Sequence, residues 1–119
     1  MREIKFKAKQ LNSGEWFEGD LVHLGNRVCI GGYNIKDGIT DVNPETICQF
    51  TGLADCKGKE LFEHDIIHIV GFSYAAELIW SEGCYAFMVA CENKHSYCLH
   101  SVIKSCKIER IGNKFDKKK

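Results

Sequence analysis

The chain has 119 residues, 45% hydrophobic and 27% charged, which suits one globular domain able to bury a core on its own. Sixteen basic residues balance sixteen acidic ones, with eight of each in residues 1–59 and again in 60–119, so no global field draws in nucleic acid. One proline, eleven glycines, no internal repeat and no apolar run of bilayer length exclude a low-complexity linker, a solenoid and a membrane-spanning helix.

The start, MREIKFKAKQ, is charged and holds no apolar signal core, so a non-exported, cytoplasmic protein is expected. Ile4, Phe6 and Ala8 alternate with Lys5, Lys7 and Lys9, which predicts a half-buried strand with a lysine-rich outer face. The turn signal NSGE (12–15) leads into WFEGDLVHL, a second strand that completes a hairpin. RVCIGGYNI predicts a third strand, with Gly31 and Gly32 at a bulge or the next turn. Asn43-Pro44 opens a corner, because proline pushes the preceding residue into extended geometry. PETICQFTGL then reads as a strand running into DCKG, where Asp55 and Gly58 suit a type I turn whose glycine takes positive φ. KELFEHDIIHIV is the longest strand signal, and ELIW, CYAFMVAC and KIERI predict further strands. Leu99, Val102 and Ile103 have the spacing of at most one short helical turn. From Lys104 onward seven basic residues face two acidic ones, and KFDKKK reads as a solvated tail.

CQFTGLADCKGKELFEHDIIHI (48–69) holds residue types that bind zinc. Its candidate ligands Cys48, Cys56, His64 and His68 are separated by seven, seven and three residues, without the tight cysteine pair of structural zinc sites. If residues 64–68 form a strand, the two histidines stand about 13 Å apart. The segment therefore reads as a hairpin, and no metal or cofactor is expected. Seven cysteines with no Cys-x-x-Cys pair read as free thiols, mostly buried as small apolar groups.

Glu63 and Asp65 share a face if their strand is regular, and two such carboxylates can serve as an acid/base pair. A short acidic residue at a strand entry more often holds N–H groups of the preceding turn, and that reading is preferred. No local signature marks a Cys–His dyad, and CKGKEL lacks the earlier glycine of a phosphate-binding loop. Trp16, Phe17, Tyr33, Tyr74, Trp80 and Tyr85 could stack on a ligand or pack a core. Alternation puts Leu78 and Trp80 on one face and Ile79 on the other, without saying which face is solvent. The candidate binding surface comprises Trp16, Trp80 and Tyr85, with Glu45, Gln49 and Asp65 as polar neighbours.

Read as a hairpin, the central segment resembles the YopX family of phage and prophage proteins. MREIKFKA resembles that family's opening strand. NPETICQFTGLADCKGKELFEHDI resembles its central signature: Pro-Glu-Thr, Gln-(aromatic)-Thr-Gly-Leu, Asp-x-x-Gly-Lys-Glu and Glu-x-Asp-Ile in order. ELIWSEGCY and IERIGNKF resemble its later strand and its Ile-Gly-Asn closing step. One departure is His64, where the family's Glu-x-Asp step usually has glycine; if that glycine has positive φ, His64 is strained. The resemblance implies a mostly β, phage-related protein acting inside a bacterial host, and it brings no known activity. Glu60 to Val89 also looks like part of an SH3-like barrel, by analogy of fold alone.

The expected fold is all-β: a small single domain of antiparallel hairpins with an SH3-like, partly open barrel and at most one short helical turn. Residues 1–43 form N-terminal hairpins, 44–112 the barrel core and 113–119 a basic tail. The expected function is that of a non-enzymatic binding module with a host or phage protein as partner, nucleic acid being possible but not favoured. Self-assembly through edge strands and a thiol or carboxylate enzyme stand as alternatives.

Overall fold

A computed structural model describes residues 4–32, 35, 38–71, 75–91 and 95–116. Tyr33 and Tyr74 lie outside the described residues. The fold is mostly antiparallel β, as the alternation predicts. Two compact units divide it, Met1–Phe50 and Thr51–Lys119.

The first unit contains β1 (Phe6–Lys9), β2 (Trp16–Leu24), β3 (Arg27–Gly31) and β4 (Ile39–Asp41), neighbours in the order β4-β3-β2-β1. Gly14 closes the β1–β2 hairpin with φ 71, donating its N–H to Gln10 O. Cross-strand pairing of Ala8 with Phe17 and of Leu21 with Ile30 brings both side chains of each pair onto the same face. There Ala8, Ile30, Ile35 and Val42 form the core, with Phe6, Phe17, Leu21, Val28 and Ile47 packed against it. β4 was not foreseen: at three residues it is too short to show a period.

The opposite face of β1 departs from the expected solvated lysine face. Lys7 is only 5% exposed, and its ammonium lies 4.7 Å from the centre of the Trp16 ring. Lys9 stands 5.5 Å from the same ring, and Lys5 4.9 Å from that of Phe50. Lysine stems lie well on aromatic faces, which attract the cationic heads. Nor is β1 an edge. It pairs with β2 on one side and, on the other, with the start of β5 (Cys48–Ala54) through Lys7–Cys48 and Phe6–Gln49. Further along, Gln10 bridges Val42, and Asn43 donates its N–H to Lys9 O.

The corner at Asn43-Pro44 is one turn of 3₁₀ helix, Pro44–Thr46, in which Asn43 Oδ1 accepts from Glu45 N. The Thr46 hydroxyl accepts from Lys9 N, so this corner also holds β1. The boundary between the units falls inside β5, after Phe50. The reason is that the start of β5 is already paired with β1.

In the second unit β5 continues beside β6 (Glu60–Phe62). β7 (Asp65–Ile69), β8 (Ala75–Ser81), β9 (Ala86–Cys91) and β10 (Ser96–Cys98) form a meander, and β11 (Ile108–Asn113) returns against β7, giving the order β10-β9-β8-β7-β11. α1 (Leu99–Ser105) is longer than the single turn expected and buries Leu99 and Val102. The core joins Leu61, Ile67, Leu78, Val89, Leu99 and Ile108, each no more than 2% exposed. These inward residues recur at every second position of β7, β8 and β9, as strands with one buried face require.

Gly19 on β2 leaves no room for a side chain: a Cβ there would collide with Gly31 O. Backbone cannot yield as a side-chain tip does. Gly19→Ala is therefore expected to lower unfolding stability by about 1–3 kcal/mol. Gly83→Ala, where an added Cβ meets only Ser81 Oγ at 3.9 Å and the backbone is not left-handed, serves as the control and should change stability little in the same denaturant titration.

Candidate functional site

The central signature folds as two consecutive turns separated by a short strand. In the first, Asp55 Oδ1 accepts from the N–H groups of Lys57 and Lys59, while Gly58 takes φ 84 and donates to Asp55 O. The other carboxylate oxygen accepts from Arg110 N on β11, fifty-five residues away. Burial pushes this carboxyl upward, but the three backbone N–H groups prevail and hold it below the usual carboxylate range. The exposed Lys57–Glu109 pair at 2.8 Å joins the same two segments.

The second turn corrects the single long strand expected over 59–70. β6 ends at Phe62, Glu63 and His64 make the turn, and β7 begins at Asp65. His64 has φ 70, the left-handed geometry that the family's glycine would adopt freely. It is held there by His64 N donating to Leu78 O and by Lys114 N donating to His64 O at 2.9 Å. Its ring nitrogens face two carboxylates, with Nδ1 2.9 Å from Glu77 Oε2 and Nε2 3.7 Å from Glu63 Oε2. The ring edge meets Phe115 with centroids 5.3 Å apart.

Asp65 is fully buried. Oδ2 accepts from Phe62 N at 2.8 Å, and Oδ1 accepts from Asn113 Nδ2 at 2.9 Å. Arg110 Nε lies 3.1 Å from Oδ2, close enough to pair by charge but without an aligned hydrogen bond. Asn113 Oδ1 in turn accepts from Phe115 N, and Asp116 Oδ2 accepts from Asn113 N. The closing Ile-Gly-Asn step thus bonds directly to the central Glu-x-Asp step. Asn113 belongs to β11, and Lys114 to Asp116 fold back on it, so the tail expected from 113 onward is not a free tail through Asp116.

The zinc-like residues serve other ends. His64 sits in the turn and not on the strand, which corrects the basis of the 13 Å argument. Cys48 is buried in the first unit, its thiol donating to Thr46 O. Among the described residues no three His, Cys, Asp or Glu side chains gather where a metal ion could sit. Glu63 and Asp65 do not share a face: Glu63 stays half-exposed beside His64, while Asp65 turns inward to hold Phe62 N, as the preferred reading had it.

Of the six proposed surface residues, Asp65 has no exposed surface and is corrected to a structural role. Trp16, Glu45 and Gln49 fall in the first unit: Trp16 lies half-buried beneath Lys7 and Lys9, Glu45 is exposed on the 3₁₀ turn, and Gln49 is half-buried on β5. Trp80 and Tyr85 fall in the second, at opposite ends of the turn joining β8 to β9. Trp80 lies on the core face with Leu78 and pairs across with Phe87, its ring edge-on to that ring at 5.0 Å. It remains 36% exposed because the core face runs out at the end of the sheet. Tyr85 is 82% exposed at φ 50. A non-glycine residue held in that region with its ring in solvent is a strained presentation.

Asn113 and Arg110 were missed as partners of Asp65; the only sequence signal was a polar residue at an inward strand position. The cysteines are less buried than expected. Cys29, Cys48 and Cys91 are buried, Cys98 and Cys106 are half-exposed, and Cys56 and Cys84 are exposed. Cys29 donates to Asp41 Oδ1 at 3.0 Å, and that bond, with burial and the charge of Asp41, pushes its thiol up and keeps it protonated.

The bonds to Asp55 give a pH dependence. Its carboxyl keeps its charge to lower pH in the folded chain than in the unfolded one. Its contribution is therefore complete above the unfolded value of about 3.9 and is lost as pH falls through the lower folded value. In Asp55→Asn one oxygen becomes a donor, leaving either Arg110 N or the turn N–H groups without an acceptor. The variant is expected to be less stable than the parent by about 1–3 kcal/mol at pH 7, the gap narrowing as pH falls below the unfolded value of about 3.9. Urea titrations of both proteins across that range measure it.

A search of curated proteins returns no match. The family model described as YopX protein matches residues 5–118, which takes in the opening strand, both signature turns and the Asn113 closure. This chain belongs to the YopX protein family.

Proposed function

We propose that this protein is a phage- or prophage-encoded accessory factor that acts inside a bacterial host cell by binding another protein, without catalysing a reaction. The observation that carries the proposal is the β8–β9 hairpin end, where Trp80 and Tyr85 present aromatic surface from a hydrogen-bonded hairpin. Rigid aromatic side chains give up little conformational freedom on binding, and Trp and Tyr dominate binding hot spots. Trp80 is already fixed against Phe87, and Tyr85 is held by its turn, so the surface exists before a partner arrives.

The remaining chemistry supports binding over catalysis. Asp65 and Asp55, the acidic residues best placed for general acid/base work, spend their oxygens on backbone and Asn113 donors. Strand order in the second unit supports the SH3-like reading, since a four-strand meander is closed by a last strand that follows a short helix and pairs with the first. Small barrels of this kind serve many unrelated functions, so the site and not the fold carries the argument.

Tagged protein recovered from infected or prophage-induced host cells should bring down a stoichiometric protein partner. Tyr85→Asn keeps the left-handed backbone, which asparagine tolerates, and removes the ring. It is expected to weaken capture roughly 30-fold, the equivalent of about 2 kcal/mol, with a thermal midpoint no lower than the parent's. Full binding by Tyr85→Asn and Trp80→Ala would overturn this assignment of the surface. Recovery of nucleic acid with a steep salt dependence would overturn the choice of partner.

A further inference from the structure

Helix α1 is capped by Cys106, whose N–H donates to Val102 O, and β11 begins two residues later at Ile108. Beside that strand lies the first signature turn, where Cys56 donates its N–H to Ile108 O at 3.0 Å. That hydrogen bond sets the turn backbone at Cys56 against Ile108, and only Lys107 separates Ile108 from Cys106. Cys56 and Cys106 line one small cleft of about 170 Å³, with Ala54, Ile103 and Ile108 as its apolar walls.

Cys106 also lines a second cleft of about 350 Å³, which it shares with Cys98 at the other end of α1. That pair is held apart. With α1 between them at ~1.5 Å rise per residue, their backbones stand about 12 Å apart, and a disulfide needs Cα atoms within about 7 Å. Cys56 shares a cleft with Cys106 with no helix between them, and is the better placed partner.

We propose that Cys56 and Cys106 form a redox-modification site, which a low-molecular-weight disulfide closes to an intramolecular disulfide. The exposed Cys56 thiolate attacks one sulfur of the reagent, forming a mixed disulfide and expelling one thiolate. The Cys106 thiolate then attacks the Cys56 sulfur and expels the second. Two protein thiols are oxidised, the reagent is reduced to two small thiols, and the two cysteine protons go to the leaving groups. The closed bond ties the Asp55–Gly58 turn to the junction of α1 and β11, across a loop of the chain long enough to restrict the unfolded state substantially. In reducing surroundings the dithiol prevails; the disulfide forms when the poise becomes oxidising.

Cys98 is the natural competitor. The N–H groups of Ser101 and His100 draw its thiol below the usual range against the opposing effect of burial, so it collects adducts of its own. The test uses full-length protein incubated with oxidised glutathione, alkylated, digested without reduction and mapped by mass spectrometry. A Cys56–Cys106 cross-linked peptide should be the main intramolecular product. It should persist in Cys98→Ser, disappear in Cys56→Ser, and raise the thermal midpoint by at least about 5 °C until dithiothreitol reverses it. Cys56 ending as a stable glutathione adduct beside a free Cys106 would overturn the proposal. So would Cys106 joined to Cys98. Both readings come from the parent protein and do not depend on whether a variant folds.

Discussion

A carboxylate with no exposed surface is costly to place in a protein interior unless donors surround it, and Asp65 is placed so that they do. Phe62 N and Asn113 Nδ2 each give a hydrogen bond, and the Arg110 guanidinium adds charge on the same side. Losing one partner of such a group costs about 3–5 kcal/mol, comparable with the whole stability of a small domain. The contact spans forty-eight residues, so it forms only when β11 has returned to β7. Asp55 repeats the device, closing its own turn with one oxygen and taking Arg110 N with the other. Two aspartates thus stitch the central signature to the last strand. The neighbouring His64 adds a third tie through Lys114 N and Phe115.

Those ties explain which parts of the fold were legible in advance. Asp55 and Gly58 could be read because a type I turn needs an acceptor at its start and a positive φ near its end, both local demands. His64 could be read as strained because the comparison residue is glycine, and φ 70 bears that out. The alternation of β1 located its strand, but not the fate of its lysines. Whether Lys7 meets water or Trp16 depends on which strand lies beside it, and no local pattern encodes that. The same limit hid the turn at Glu63-His64 inside an apparently continuous strand signal. Period two continues on both sides of it, and only the left-handed residue breaks the run. β4 and β10, at three residues each, fall below any periodic signal and are defined by their partners.

For the candidate surface the sequence named the aromatic residues and could not sort them. Trp16 and Trp80 look alike as letters. One is covered by lysine stems, while the other stands at the end of a sheet where the core face meets solvent. Both rings stand near a hairpin end, so the difference lies in what covers them: Lys7 and Lys9 lie over Trp16, whereas Trp80 meets Phe87 edge-on and stays 36% exposed. Asp65 was misplaced for the opposite reason. A charged residue beside a turn is ordinarily solvated, and only its distant partner Asn113 makes its burial tolerable.

The division of labour this produces bears on where activity can reside. The residues that identify the family are consumed by folding: Asp55, Asp65 and Asn113 have their polar atoms committed to one another or to backbone. A substitution among them would be felt first as lost stability, and its effect on function would follow from that. The hairpin end at Trp80 and Tyr85 has the reverse character, because an 82% exposed ring contributes little burial to the fold. The Tyr85 backbone nevertheless occupies a region that tyrosine adopts at a cost, with no fold-level gain from the ring to offset it. Strain without a stabilising return is what a side chain kept for an external contact would show, which is the reason the proposed binding surface is the hairpin end and not the signature.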